Sequence, residues 1–84
     1  MDQRYYSGDE IHIADRVEYG GCPATIVLVI DRDEWPEDES FESRAWWRAE
    51  HGSGFLLLQD AGARIFLPEA DEDLTFVSRT SSVA

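Results

Sequence analysis

The sequence predicts a mainly β domain, on three observations. Arg16–Asp31 reads R-V-E-Y-G-G-C-P-A-T-I-V-L-V-I-D, an alternating segment, a glycine pair and a β-branched apolar run. That is the pattern of two strands joined by a tight turn. Gly54–Gln59 and Arg64–Leu67 repeat the theme around the four-residue loop D-A-G-A. Turn signals also recur about every ten residues, the spacing of an all-β domain.

Met1–Gly8 is expected to be loose, with Tyr5 and Tyr6 available to dock on the domain. Asp9–Ala14 alternates, placing Ile11 and Ile13 on one face against Glu10 and His12, as in a half-buried strand. Asp15 permits a bend before Val17 and Tyr19 resume the alternation, and Gly20-Gly21 accommodate the positive φ of a hairpin turn. Ala24–Asp31 is nearly continuous in its apolar character, with Thr25 and Ile30 at its rims. A strand of this kind is covered on both faces or crosses from one half of a barrel to the other, so it is read as central.

Asp31–Glu42 follows, and of its twelve residues seven are acidic and one is arginine. Pro36 argues against a helix or a central strand there, so the segment reads as an exposed loop. Ser40–His51 holds a short helix, capped by Ser40 or Asp38 and stopped by Gly52. Phe41, Ala45 and Ala49 share one face of it, and Trp46 and Trp47 fall on adjacent faces. Pro68 ends the second hairpin, Glu69–Asp73 is a polar connection, and Leu74–Val77 alternates as a closing strand. Arg79 onward is expected to fray. About five short antiparallel strands, one long acidic loop and one short helix suit a small SH3-like barrel, because closure removes edges that a small sheet otherwise exposes.

At 84 residues the chain makes one β-barrel-like domain over 1–84, with 1–7 and 80–84 expected to be flexible. Such a chain buries only about 60–65% of the surface its unfolded form exposes, so its core is small. A hydrophobic fraction of 43%, with four Phe, three Trp and three Tyr, is still enough to fold. No apolar run nears the ~20 residues of a membrane span, and Met-Asp-Gln-Arg-Tyr-Tyr has no apolar signal region. A cytoplasmic protein is therefore expected.

Charge excludes more than it identifies. Eighteen acidic residues face seven basic ones, all arginine, for a net charge of −11. Nucleic-acid binding through phosphates and docking on an anionic membrane both need clustered positive charge, so neither is expected. A basic protein partner fits, although solubility or an acidic proteome accounts for the same balance.

No motif carries catalysis. His12 and His51 lie on separate elements, and Ser7, Ser40 and Ser43 have no elbow sequence around them. The lone Cys22 beside Pro23 reads as a small turn residue rather than a nucleophile, and it leaves no disulfide or Cys-based zinc site to build. Gly20-Gly21 and Gly52-Ser53-Gly54 match no phosphate-binding fingerprint. Asp31, Asp33, Glu34, Glu37, Asp38 and Glu39 gather oxygens but lack the calcium-loop spacing and its distal glutamate, so no metal or other cofactor is expected. The chain is read as not an enzyme.

A protein-binding surface remains. Asp31, Asp33, Glu34, Glu37, Asp38 and Glu39 surround Trp35 and Phe41, and Trp46 and Trp47 follow with Arg44 and Arg48. Tryptophan and arginine are frequent binding hot spots, and an acidic surround steers a basic partner toward them. The plainer reading makes Trp46 and Trp47 core or lid, whereas Trp35 beside Pro36 is expected to be exposed. Asp71, Glu72 and Asp73, within Glu69–Asp73, form a second acidic patch.

G-D-E-I at Gly8–Ile11, V-E-Y-G-G-C-P-A-T-I-V-L-V at Val17–Val29, G-F-L-L at Gly54–Leu57 and P-E-A-D-E-D-L-T-F-V at Pro68–Val77 cover most of the chain. Through them it resembles small bacterial proteins associated with immunity genes of polymorphic toxin systems. The resemblance implies a cytoplasmic protein that binds and blocks one cognate toxin domain, and it brings no active site with it. Carboxylates of Asp31–Glu42 would then occupy a basic cleft of the toxin, with Trp35 as anchor. Two other readings compete: an SH3-like adaptor or subunit module holding an extended peptide, and an inhibitor whose carboxylates mimic nucleic-acid phosphates. An exposed edge strand also offers a route to a homo-oligomer.

Overall fold

In a computed structural model that describes residues 3–79, the chain folds into one five-stranded antiparallel sheet and one helix. The strands are β1 (Asp15–Tyr19), β2 (Cys22–Val29), β3 (Phe55–Gln59), β4 (Arg64–Leu67) and β5 (Leu74–Arg79), and the helix is α1 (Phe41–His51). Their order across the sheet is β4-β3-β2-β1-β5.

Both hairpins form where expected. Tyr19 pairs with Cys22, leaving Gly20 and Gly21 as a two-residue turn. Their φ values of 60° and 83° are the left-handed pair that this turn demands and that glycine adopts without strain. β3 and β4 pair from Phe55↔Leu67 to Leu58↔Arg64 around the Asp60–Ala63 loop.

β2 sits in the middle of the sheet, and a bulge explains its unbroken apolar run. Ile26 pairs with Leu57 but Leu28 already pairs with Leu56, so Val27 is an extra residue in the ladder. An extra residue resets the alternation. Ala24, Ile26 and Val29 consequently join one core with Val17, Phe55, Leu57, Leu67 and Leu74. Leu28, Ile30 and Leu56 form a second core on the opposite face, with Val27, Trp35, Trp47 and Phe66 packed against it.

The closed SH3-like barrel does not form. β4 and β5 end the sheet on opposite sides and remain edges. Closure is unnecessary because both faces are covered in other ways. Tyr5 and Ile11 bury themselves on the first core, and Ala70 joins them from the segment that carries the chain from β4 across to β5. The second core is covered by α1 and by Trp35.

Other expectations also need correction. Residues 9–14 form no strand, only an isolated bridge between Arg4 and Glu10, although Ile11 is fully buried. Ala14 turns the chain there with φ 73°, which breaks the extended run. β2 stops at Val29, and Ile30–Arg32 makes one 3-10 turn that buries Ile30 rather than leaving it at a rim. Asp31–Glu42 is only partly an exposed loop, since Val29 and Glu34 bridge and Trp35 turns inward.

Arg79 does not fray. Val17 pairs with Phe76 and Arg16 with Ser78, so Val77 is a second bulge, and it brings Arg79 opposite Asp15. The Asp15 carboxylate is fully buried and accepts from Arg79 Nε (2.8 Å), Tyr5 Oη (2.7 Å) and the His12 amide (3.0 Å). Burial alone would raise its pKa, but the Arg79, Tyr5 and His12 hydrogen bonds outweigh burial and hold it below the usual carboxylate range. Burial, then the bond to Asp15, pushes the Tyr5 hydroxyl well above its ordinary value. Residues 80–84 and 1–2, expected to be flexible, lie outside the described residues.

Candidate functional site

α1 begins where the sequence says it should. The Ser40 side chain accepts from the Ser43 amide at 3.0 Å, and Gly52, with φ 74°, closes the helix through its amide to the Arg48 carbonyl. Glu39 sits at the same end, accepting from the Ser43 hydroxyl, where a carboxylate complements the helix dipole.

The face that α1 turns inward is the reverse of the one its apolar spacing predicts. Phe41, Ala45 and Ala49 all point to solvent, and no residue of the helix is fully buried. Aromatic stacking sets the docking instead. Trp47 stacks on Phe66 at 5.7 Å between centroids, and His51 lies 4.1 Å from the same ring. On the other flank Arg48 pairs with Asp33 and lies 5.6 Å over Trp35. Four ring and ion contacts of this kind replace the apolar stripe, which is left outside.

The result is a surface with two parts. Phe41 is 81% exposed and Trp46 52% exposed on the outer side of α1. Behind Trp46 a groove of about 520 Å³ runs between the helix and the sheet. Trp46 and Trp47 form its aromatic wall, Val27, Leu56 and Leu58 line it from the sheet, Asp38 and Glu39 bring carboxylates, and Arg64 lines it from the outer strand. Trp46 and Trp47 meet edge to face at 5.0 Å.

The acidic residues divide sharply by environment. Asp31 accepts from the Gly54 amide (2.7 Å) and from Gln3 Nε2 (3.2 Å), so it ties the helix exit to the N-terminal segment. Asp33 accepts from Trp35 Nε1 at 2.6 Å, and that bond, with Arg48 and Arg44 nearby, keeps its pKa below the usual range. Glu34 accepts from the Ile13 amide (2.8 Å) and faces His12 Nδ1 (2.7 Å). These three carboxylates hold the loop in place, which is why Trp35 is half-buried against Leu28 and Ile30 rather than exposed. Glu37 and Asp38 are exposed beside the groove, and Glu42 is exposed on the first turn of the helix.

The second patch lies apart from this surface. Asp71 accepts from the Tyr19 hydroxyl (3.1 Å) and from the Asp73 amide (2.8 Å), while Glu72 and Asp73 are exposed. That bond to Asp71, ahead of burial, raises the Tyr19 pKa. A larger cleft of about 740 Å³ opens between Arg4, Asp31, Ser53 and Glu69, but it carries no tryptophan, and its Asp31 is already satisfied.

The groove residues Val27, Leu58 and Arg64 were not legible as site residues, since only the bulge and the docking of α1 bring them to Trp46. Among the described residues no group of three or more His, Cys, Asp or Glu is placed to hold a metal ion. Cys22 is exposed at the start of β2, opposite Tyr19. Also among the described residues, no helix is long and apolar enough to cross a membrane. Comparison of the chain with models of known families, with curated proteins and with solved structures finds no match in any of the three.

Proposed function

We propose that this chain is a non-catalytic, cytoplasmic binding protein of the immunity type, which neutralises a toxin domain by covering a basic surface on it. One observation carries the reading. Phe41 and Trp46 stand in solvent on a helix that contributes no buried residue, beside the exposed carboxylates of Glu37, Asp38 and Glu42. Exposed aromatics are costly to leave in water and are the usual anchors of an interface. Acidic neighbours would speed encounter with a cationic partner and reject an anionic one. Net charge −11 acts in the same direction over longer range.

The anchor differs from the one first expected. Trp35 is committed to the second core, so Phe41 and Trp46 take its place. The SH3-like adaptor reading loses its structural basis with the open sheet, and the phosphate-mimic reading loses Asp31, Asp33 and Glu34 to internal bonds.

The test is co-expression with the toxin domain encoded by the neighbouring gene, followed by affinity measurement on purified proteins. Phe41→Ala with Trp46→Ala is expected to weaken the complex at least tenfold, and Glu37→Lys with Asp38→Lys is expected to slow association and reduce its salt dependence. Unchanged affinity in both double variants would overturn the proposal.

A further inference from the structure

We infer that the groove behind Trp46 receives an arginine side chain from the basic partner. This rests on the reading of the outer α1 surface as the binding face, and adds what the partner must insert there.

The walls specify the guest. The groove has an aromatic side in Trp46 and Trp47, an aliphatic floor in Val27, Leu56 and Leu58, and the carboxylates of Asp38 and Glu39. A guest with an apolar stem and a flat cationic head satisfies all three at once. Arginine has that shape: its methylenes cover apolar surface, its guanidinium stacks on aromatic rings, and its N–H fork matches a carboxylate. A neutral apolar guest would leave Asp38 and Glu39 facing hydrocarbon. A carboxylate guest would face both of them across the groove.

The protein contains an occupied version of the same arrangement. Arg48 lies 5.6 Å over the Trp35 ring and pairs with Asp33, whose carboxylate also accepts from Trp35 Nε1 at 2.6 Å. Ring, carboxylate and guanidinium are supplied there by one chain. In the groove the chain supplies Trp46, Asp38 and Glu39, and a partner supplies the guanidinium. Arg64 is the like charge in the lining, on the outer strand, and its presence weakens the site for a second cation.

The experiment uses the full chain and three blocked tripeptides, N-acetyl-Gly-X-Gly-amide with X as arginine, lysine or citrulline. Citrulline keeps the shape of arginine without its charge. Binding is followed by amide shifts of Val27, Leu56 and Leu58 and by tryptophan fluorescence. The arginine peptide is expected to shift these amides saturably, with lysine at least threefold weaker and citrulline without effect. Trp46→Ala and Asp38→Asn should each weaken the arginine peptide at least threefold, while Arg64→Gln should strengthen it. Asp38 is exposed, so Asp38→Asn tests the site even if Trp46→Ala disturbs the helix. Equal binding of lysine or citrulline would overturn the assignment, as would shifts confined to residues outside the groove.

Competition separates this inference from the reading beneath it. If the toxin domain needs Phe41 and Trp46 but neither displaces nor is displaced by a groove-bound arginine peptide, the inference fails and the surface reading stands. If the peptide fills the groove and the toxin domain ignores both Phe41 and Trp46, the arginine site stands and the surface reading fails.

Discussion

Removing Arg79 should destabilise this protein far more than its exposure suggests. Its guanidinium is 42% exposed, but the Asp15 side chain it serves is fully buried. Arg79→Ala removes two charge-assisted bonds to Asp15, Nε to Oδ1 at 2.8 Å and Nη2 to Oδ2 at 3.1 Å, along with the Nη2 bond to the Glu10 carbonyl. Each is worth about 1.5–3 kcal/mol. Solvent around the exposed half of Arg79 discounts that sum, and about 3 kcal/mol is the expected loss, at the lower end of the range for orphaning a buried charge. For a domain this small, a loss of that size lowers Tm by roughly 12–24 °C. Asp15→Asn should cost less, since the half-exposed guanidinium can return to water.

The pH dependence checks the cause. Asp15 titrates below the ordinary carboxylate range in the folded chain. A depressed folded pKa contributes stability that is complete above the unfolded value of about 3.9 and is lost as pH falls through the lower folded value. Arg79→Ala removes the largest of the depressing partners and leaves burial opposed only by the Tyr5 and His12 bonds, so the variant has already lost most of that contribution at neutral pH. The gap between parent and variant should therefore be widest near pH 7 and close toward pH 3. Urea unfolding at both pH values, with m compared to confirm a common two-state transition, measures it. A loss below about 1 kcal/mol at pH 7, or one independent of pH, would refute the network argument.

Two further outcomes follow from local geometry. Gly54 has φ +123°, and a Cβ there would lie 2.5 Å from Phe66 Cζ and 2.7 Å from the Leu67 carbonyl oxygen; Gly54→Ala should lower stability by about 2 kcal/mol or more by denaturant titration, because neither the dihedral nor the backbone contact can relax cheaply. Ser40→Ala removes the N-cap bond to Ser43 and should cost about 1 kcal/mol in the same titration, with helical circular dichroism reduced, whereas Ser40→Asp should leave both near the parent value.

Local chemistry was readable from the sequence, and long-range pairing was not. The Gly20-Gly21 turn, the Asp60–Ala63 loop and the Ser40 and Gly52 caps depend on neighbours a few residues apart, and each lies where its residues place it. The two bulges exist only in pairing, so nothing along β2 marks Val27 as the extra residue. Asp15 looked like a bend because an acid within an alternating strand normally signals one. Its partner stands 64 residues away and faces it only because Val77 resets β5. An apolar stripe such as Phe41, Ala45 and Ala49 ordinarily marks the buried side of a helix. Here stacking of Trp47 and His51 on Phe66 decided the matter, and the stripe was left in solvent. Trp35 misled for a related reason, since surrounding charge suggested solvent while Asp33 and Glu34 were in fact folding the loop down.

The absence of any fully buried residue in α1 has a consequence for how such a protein changes over generations. The buried side chains of the first core and the outer face of the helix are separate sets of residues. Phe55, Leu57, Ile26 and Val17 carry the sheet, and none of them belongs to the outer face of the helix. Substitutions at Phe41, Glu42 or Ala45 therefore draw little on a thin stability margin, because surface changes away from packed contacts seldom alter it by more than about 0.5 kcal/mol. The same separation makes the chain a graftable frame, on which one helix face can be randomised while the fold is inherited intact.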